Sequence, residues 1–264
     1  MTSAATPGPR AGARLASVSG ARPPTAPVAM REKLRGLLRR DDDPSTDGDV
    51  DQPAAAAEQP TPVAPPRFVV VGTGRSGTGF IASALTRAGV ETGHETWWGP
   101  RADHGRELVG DASWCATFEL DGYEGRVFHQ VRDPLKVLRS AAALEVAEHR
   151  RDNDWYRYRT TRQEFTGDPV VDALLLVARW VREAERRAEW TWRLEDVDAD
   201  LLVEVGARVG VPVAAEAAAA ALATDRRNEK RDEKRETYDF GWDDLPDLAV
   251  TERVRAHASR YGYL

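Results

Sequence analysis

The chain has 264 residues, 41% of them hydrophobic, and a formal net charge of −6, which suits one ordinary domain and leaves too little for two large ones. Residues 1–66 hold eleven of the sixteen prolines and none of the twenty Phe, Trp and Tyr residues, so they have nothing large to bury and read as a disordered Pro/Ala-rich tail ahead of a folded domain over 67–264. The folded part carries the whole negative balance, which excludes a general attraction for nucleic acid, and the single Cys115 excludes an intramolecular disulfide framework and a multi-cysteine metal site.

No run of about 18 apolar residues and no signal-peptide stretch is present, so the expectation is a cytoplasmic protein that is not an integral membrane protein. Inside the tail, residues 28–40 can form a short basic helix before the acidic run Asp41 to Asp43, with a solvated transient helix as its plainer meaning. The apolar, β-branched run Arg67 to Gly72 predicts a buried parallel strand. A glycine loop follows, and Thr78 to Gly89 has helical spacing. Residues 91–112 are polar and Gly-rich and are expected to be loops along a cleft. Arg126 to Val131 predicts a second strand, after which Asp133 and Pro134 start a helix over 135–147 as N-cap and first residue. The same cap-and-proline signature at Asp168-Pro169 opens an apolar helix through Val181, with its charged end at 182–189 lying outside. Trp190 to Leu194 alternates as a strand does, and Asp196 or Asp198 caps an amphipathic segment over 201–209. An Ala-rich helix near 214–223, a charged stretch over 225–236 and a closing helix near 248–261 complete the chain. Strands alternating with helices predict an α/β fold, three layers α/β/α around a central parallel sheet, with ligands at the carboxyl ends of the strands.

Between the first strand and its helix the chain reads Gly72-Thr-Gly-Arg-Ser-Gly-Thr-Gly79. Backbone N–H groups of such a loop, with the helix N-terminus, cradle a phosphate. Gly72, Gly74 and Gly77 match a dinucleotide fingerprint with Glu91 near the place of a ribose-binding acid, but residues 89–95 are too polar and glycine-broken to supply the strand that fold needs. A kinase-type loop needs Lys after Gly77, where this chain has Thr78. The cation is Arg75, inside the loop, which suits a terminal phosphate next to a bridging group that gains charge, and so points to group transfer. At the second strand-to-helix junction, Arg132 and Ser140 are eight residues apart and can converge on one anion.

Together these residues resemble the sulfotransferase superfamily that uses 3′-phosphoadenosine 5′-phosphosulfate (PAPS), whose fold is P-loop-like. The resemblance implies that a loop like Arg75-Ser76-Gly77-Thr78, continuing to Gly79, binds the 5′-phosphosulfate, and that an Arg followed eight residues later by a Ser, as with Arg132 and Ser140, binds the 3′-phosphate. It extends through Arg193-Leu-Glu-Asp196, similar to the family's strand-end motif and placing Arg193 with the nucleotide, and through Gly241-Trp-Asp-Asp-Leu-Pro and the C-terminal Tyr-Gly-Tyr. Cytosolic eukaryotic members carry Lys where this chain has Arg75, and their glycine-containing nucleotide motif is not recognisable here; Asn228, Lys230 and Arg231 stand at about that place.

The implied reaction is transfer of a sulfuryl group to a hydroxyl of a small-molecule, carbohydrate or lipid acceptor, with no metal. Arg75 is expected at the bridging oxygen, where a permanently charged guanidinium stabilises charge but is a poor proton donor. For the base, Glu95 comes first and His94 second, in a segment over 93–98 that resembles the acceptor-side loop of bacterial members; a Glu in a Trp-lined cleft has its pKa raised, and histidine as a residue type titrates near neutrality. Asp111 is a third candidate, with an N-cap as its plainer role. Trp97, Trp98 and Trp114 can stack on an acceptor or serve as core, Tyr156, Tyr158 and Arg159 are candidates for acceptor contact, and His104, His129 and His149 read as structural. Two other readings stay open: a phosphoryl-transfer P-loop enzyme and a non-catalytic nucleotide-binding module.

Overall fold

The computed structural model describes residues 63–148, 158–159, 161–163, 165–224 and 238–264. The expected tail up to residue 62, the basic helix over 28–40, His149, Tyr156 and the charged stretch with Asn228, Lys230 and Arg231 lie outside the described residues.

The order of elements is β1 (Phe68–Val71), α1 (Thr78–Arg87), β2 (Thr92–His94), β3 (Gly110–Ala112), β4 (Arg126–Val131), α2 (Pro134–Glu148), α3 (Pro169–Arg187), β5 (Trp190–Arg193), α4 (Ala199–Val209), α5 (Ala215–Ala223) and α6 (Ala249–Arg260). The strands form one parallel sheet in the order β2-β3-β1-β4-β5. All four side chains of β1 are buried, because both faces of a parallel sheet are covered. Val69 and Val71 pack with α2, α3 and α6 on one face. Phe68 and Val70 pack with α1, α4 and α5 on the other. The fold is therefore the expected three-layer α/β/α arrangement.

Local chemistry explains where the helices begin. Leu135 N–H donates to Asp133 Oδ1 at 2.9 Å, and Val170 N–H donates to Asp168 Oδ1 at 2.8 Å, each one residue after a proline at the first helical position. Asp198 rather than Asp196 caps α4, accepting from Leu201 N–H at 2.9 Å. The charged end of α3 runs to Arg187, with Arg182, Arg186 and Arg187 exposed as expected.

The segment over 91–112 corrects the expectation of loops alone. Thr92–His94 and Gly110–Ala112 pair in register with each other, and Gly110–Ala112 also pairs with β1. Their ladders are three residues long and mostly polar, so no apolar period marked them. This also changes the ground for setting aside the dinucleotide fingerprint. A strand does follow α1, but β3 rather than β2 lies beside β1, unlike the dinucleotide-binding strand order. Glu91 precedes β2, at the opposite end of the sheet from the glycine loop, and is paired with Arg106 at 2.6 Å.

Candidate functional site

The carboxyl ends of the strands carry the glycine loop. Arg75 (φ 76°) and Gly77 (φ 92°) are left-handed on either side of Ser76, whose N–H donates to Thr73 O at 3.1 Å. Alternating hands of this kind turn successive N–H groups toward one side and make a concavity for an anion. A left-handed arginine is strained, and such strain collects at functional positions. Gly77 has no alternative residue: besides its φ, a Cβ there would stand 2.8 Å from Leu194 Cδ2. At Gly72 the reason is close approach, since a Cβ would meet Ser76 Oγ at 2.6 Å and the Gln130 carbonyl at 2.7 Å. The Ser76 hydroxyl is fully buried beside Gly72, and the structure gives it no hydrogen-bond partner.

Arg132 and Ser140 meet the loop through Arg75. Arg75 Nε donates to Ser140 Oγ at 2.8 Å, and Arg132 Nη1 donates to the Arg75 carbonyl at 3.0 Å. The glycine loop and the β4–α2 junction thus form one cationic corner. The junction is held from behind: Glu195 Oε1 accepts from Asp133 N–H at 3.2 Å, and Glu195 Oε2 accepts from the Tyr263 hydroxyl at 2.6 Å.

Glu95 faces this corner from β2's end and is the second left-handed non-glycine residue, at φ 56°. Burial raises its carboxyl to about 7, helped by the charge of Asp111 and opposed by a hydrogen bond from Trp114 and by the positive charge of Arg75. His94 Nε2 lies 3.3 Å from Thr78 Oγ1 and 3.5 Å from Glu95 Oε1, so Glu95, His94 and the start of α1 are contiguous. His94 also covers Gly79, where a Cβ would come within 3.2 Å of the imidazole.

Asp111, the third candidate base, is held by backbone donors. Its oxygens accept from the N–H groups of Thr96, Trp97 and Trp98 at 3.1 to 3.3 Å, so this buried carboxylate anchors the loop after Glu95. Trp98 and Trp114 are core: Trp98 packs edge-on against Tyr123, and Trp114 packs edge-on against Tyr158 and tilted against Trp180. Trp97 is half-buried and stacks on His104 at 4.8 Å. Tyr158 and Arg159, candidates for acceptor contact, are buried, and the Tyr158 hydroxyl donates to the Cys115 carbonyl at 2.5 Å. Arg193, at the end of β5, lies over the Tyr263 ring at 4.4 Å and pairs with Asp196 at 3.5 Å. His129 is fully buried on β4, and burial lowers its pKa to about 3. Among the described residues no group of three or more His, Cys, Asp or Glu side chains is placed to hold a metal, and no helix is long and apolar enough to cross a membrane.

One contact at the site escaped the sequence reading. Gln130 Nε2 donates to the Ser76 carbonyl at 2.9 Å. The only signal for it is an amide on the same strand face as Phe128, where an apolar residue belongs.

No family model and no curated protein matches the chain. Among solved structures it is similar to a sulfotransferase from Alicyclobacillus acidocaldarius, at 17% identity over 58% of this chain and 85% of that one, with a TM-score of 0.39. It is also similar to mouse sulfotransferase SULT7A1 complexed with PAP, at 14% identity over 61% of this chain and 64% of that one, again with a TM-score of 0.39.

Proposed function

We propose that the chain is a sulfotransferase that uses PAPS as donor and a hydroxyl compound as acceptor. The observation that carries this reading is the joining of Arg75, Arg132 and Ser140 into one corner at the glycine loop. Two anion sites linked through an arginine suit a nucleotide with phosphates at both its 5′ and 3′ ends better than a simple mononucleotide. In this reading Ser76, Gly77, Thr78 and Gly79 hold the 5′-phosphate through backbone N–H groups. Arg132 and Ser140 hold the 3′-phosphate. Arg75, between them, stabilises the charge that develops on the leaving bridging oxygen.

The donor supplies an activated sulfuryl group. Glu95 takes the proton of the acceptor hydroxyl as the acceptor oxygen bonds to sulfur and the sulfur–oxygen bridge to the nucleotide breaks, leaving 3′-phosphoadenosine 5′-phosphate (PAP). A carboxyl raised to about 7 by burial is a stronger base than an ordinary glutamate and still ionises near neutral pH. His94 orders the Glu95 side chain and the helix start.

The test is incubation of the full chain with sulfur-labelled PAPS and a panel of phenols, sugars and hydroxylated lipids. Label transfer to one class is expected, reduced roughly 10²- to 10⁴-fold in Glu95→Gln. An absence of transfer to every class, with PAPS left intact, counts against the reading.

A further inference from the structure

Gln130 is fully buried on β4, one strand residue before the Val131-Arg132 end. Phe128, on the same face, is apolar and packs in the α1-side core. An amide in that position needs partners for both its ends, and it has them. Trp192, its cross-strand neighbour on β5, donates from its indole N–H to Gln130 Oε1 at 3.1 Å, and Gln130 Nε2 donates to the Ser76 carbonyl at 2.9 Å. The amide is thus oriented by one strand and spent on the anion loop.

The peptide between Ser76 and Gly77 is trans, as are all described peptides. In a trans peptide C=O and N–H point in opposite directions. Holding the Ser76 carbonyl against the sheet therefore turns the Gly77 N–H away from it. We propose that Gln130 is the positioning residue of the anion loop: through the Ser76 carbonyl it sets the direction of the Gly77 N–H and thereby the affinity for the 5′-phosphate. This rests on the sulfotransferase reading for the identity of the ligand, but the positioning itself does not.

Without the brace, the loop keeps two left-handed residues, Arg75 and Gly77, and a buried carbonyl with its side-chain donor removed. A flip of the Ser76–Gly77 peptide then satisfies the carbonyl elsewhere and withdraws the N–H from the site.

The experiment compares wild type with Gln130→Met, similar in length and unable to donate, in two measurements. Amide hydrogen exchange over 73–79 reports the loop without any ligand. Calorimetric titration with PAP and with adenosine 3′-phosphate, which lacks the 5′-phosphate, reports the site. In Gln130→Met the loop amides are expected to exchange at least about tenfold faster while β4 and α3 keep their protection, and PAP is expected to bind about tenfold more weakly with adenosine 3′-phosphate unchanged, the effect of roughly one lost hydrogen bond. Unchanged loop exchange overturns the proposal, and so does a parallel loss for both nucleotides, which marks a general structural role. If wild type binds neither nucleotide, the sulfotransferase reading fails and loop exchange alone decides for or against Gln130. If Gln130→Met does not fold, Trp192→Phe, which removes the indole donor behind Gln130 and keeps an aromatic ring in the core, takes its place with a smaller shift in the same direction expected and an unchanged loop counting against the proposal.

Discussion

Arg75 Nε donates to Ser140 Oγ at 2.8 Å across 65 residues of sequence, so the glycine loop and the helix after β4 share one hydrogen bond at the mouth of the site. Ser140→Ala removes the acceptor for Arg75 and one ligand of the proposed 3′-phosphate together. PAP affinity is expected to fall at least about tenfold, as for one lost hydrogen bond to a charged group, with melting temperature almost unchanged because the pair is exposed. Isothermal titration checks this, and an unaltered affinity removes Ser140 from the site.

Glu95 makes stability depend on pH in a definite direction. Its folded-state pKa of about 7 lies above the ordinary glutamate value of 4.5, so between the two the folded state holds a proton that the unfolded state has released. Stability from this group is fully present below about 4.5 and is lost as pH rises toward 7. Glu95→Gln, which cannot ionise, is expected to gain melting temperature relative to wild type over that window and to hold a constant advantage above it. A difference that stays flat from pH 4 to 8 contradicts the burial of Glu95. Turnover follows the opposite course, rising through pH 7 as the base ionises.

Arg75 at φ 76° stores backbone strain that glycine would not. Left-handed geometry costs an ordinary residue roughly 1–2 kcal/mol, and glycine's extra freedom in the unfolded chain offsets roughly 0.5–1 kcal/mol of the relief. Arg75→Gly is therefore expected to melt at or slightly above wild type while losing at least about tenfold in PAP affinity. A lower melting temperature would show that the arginine side chain stabilises the free protein.

Two positions along the loop, the sign reverses. Gly77→Ala forces a Cβ into left-handed geometry against Leu194 and is expected to lose roughly 1–3 kcal/mol of stability in thermal or denaturant unfolding. An unaffected midpoint would mean that the loop does not hold φ 92° in solution.

What the amino-acid sequence makes legible is what depends on local patterning. The run Phe68–Val71, the glycines behind it, Asp133 with Pro134 and Asp168 with Pro169 are read directly, because β-branched runs, caps and prolines act within a few residues. β2 and β3 are not legible: Thr92–His94 and Gly110–Ala112 are three-residue polar segments that become strands through their neighbours in the sheet. The same holds at the site. Arg75, Arg132 and Ser140 are recognisable by type and spacing, but that Arg75 itself bridges to Ser140 depends on how two loops meet. Asp111 was a candidate base by residue type, and its three backbone donors follow from the path of residues 96–98. Trp98 and Trp114 take the core role that their residue type allows, whereas Tyr158 and Arg159 show the limit of reading aromatics and cations in a polar region as ligand contacts: both are buried.

The central claim is that one corner of the fold holds phosphates at both ends of a nucleotide. Calorimetric titration of the full 264-residue chain with PAP, with AMP as the control that lacks the 3′-phosphate, tests it most directly. The account predicts a preference for PAP of at least about tenfold, lost in Arg132→Ala. Equal affinity for the two nucleotides, or binding of neither, would contradict it.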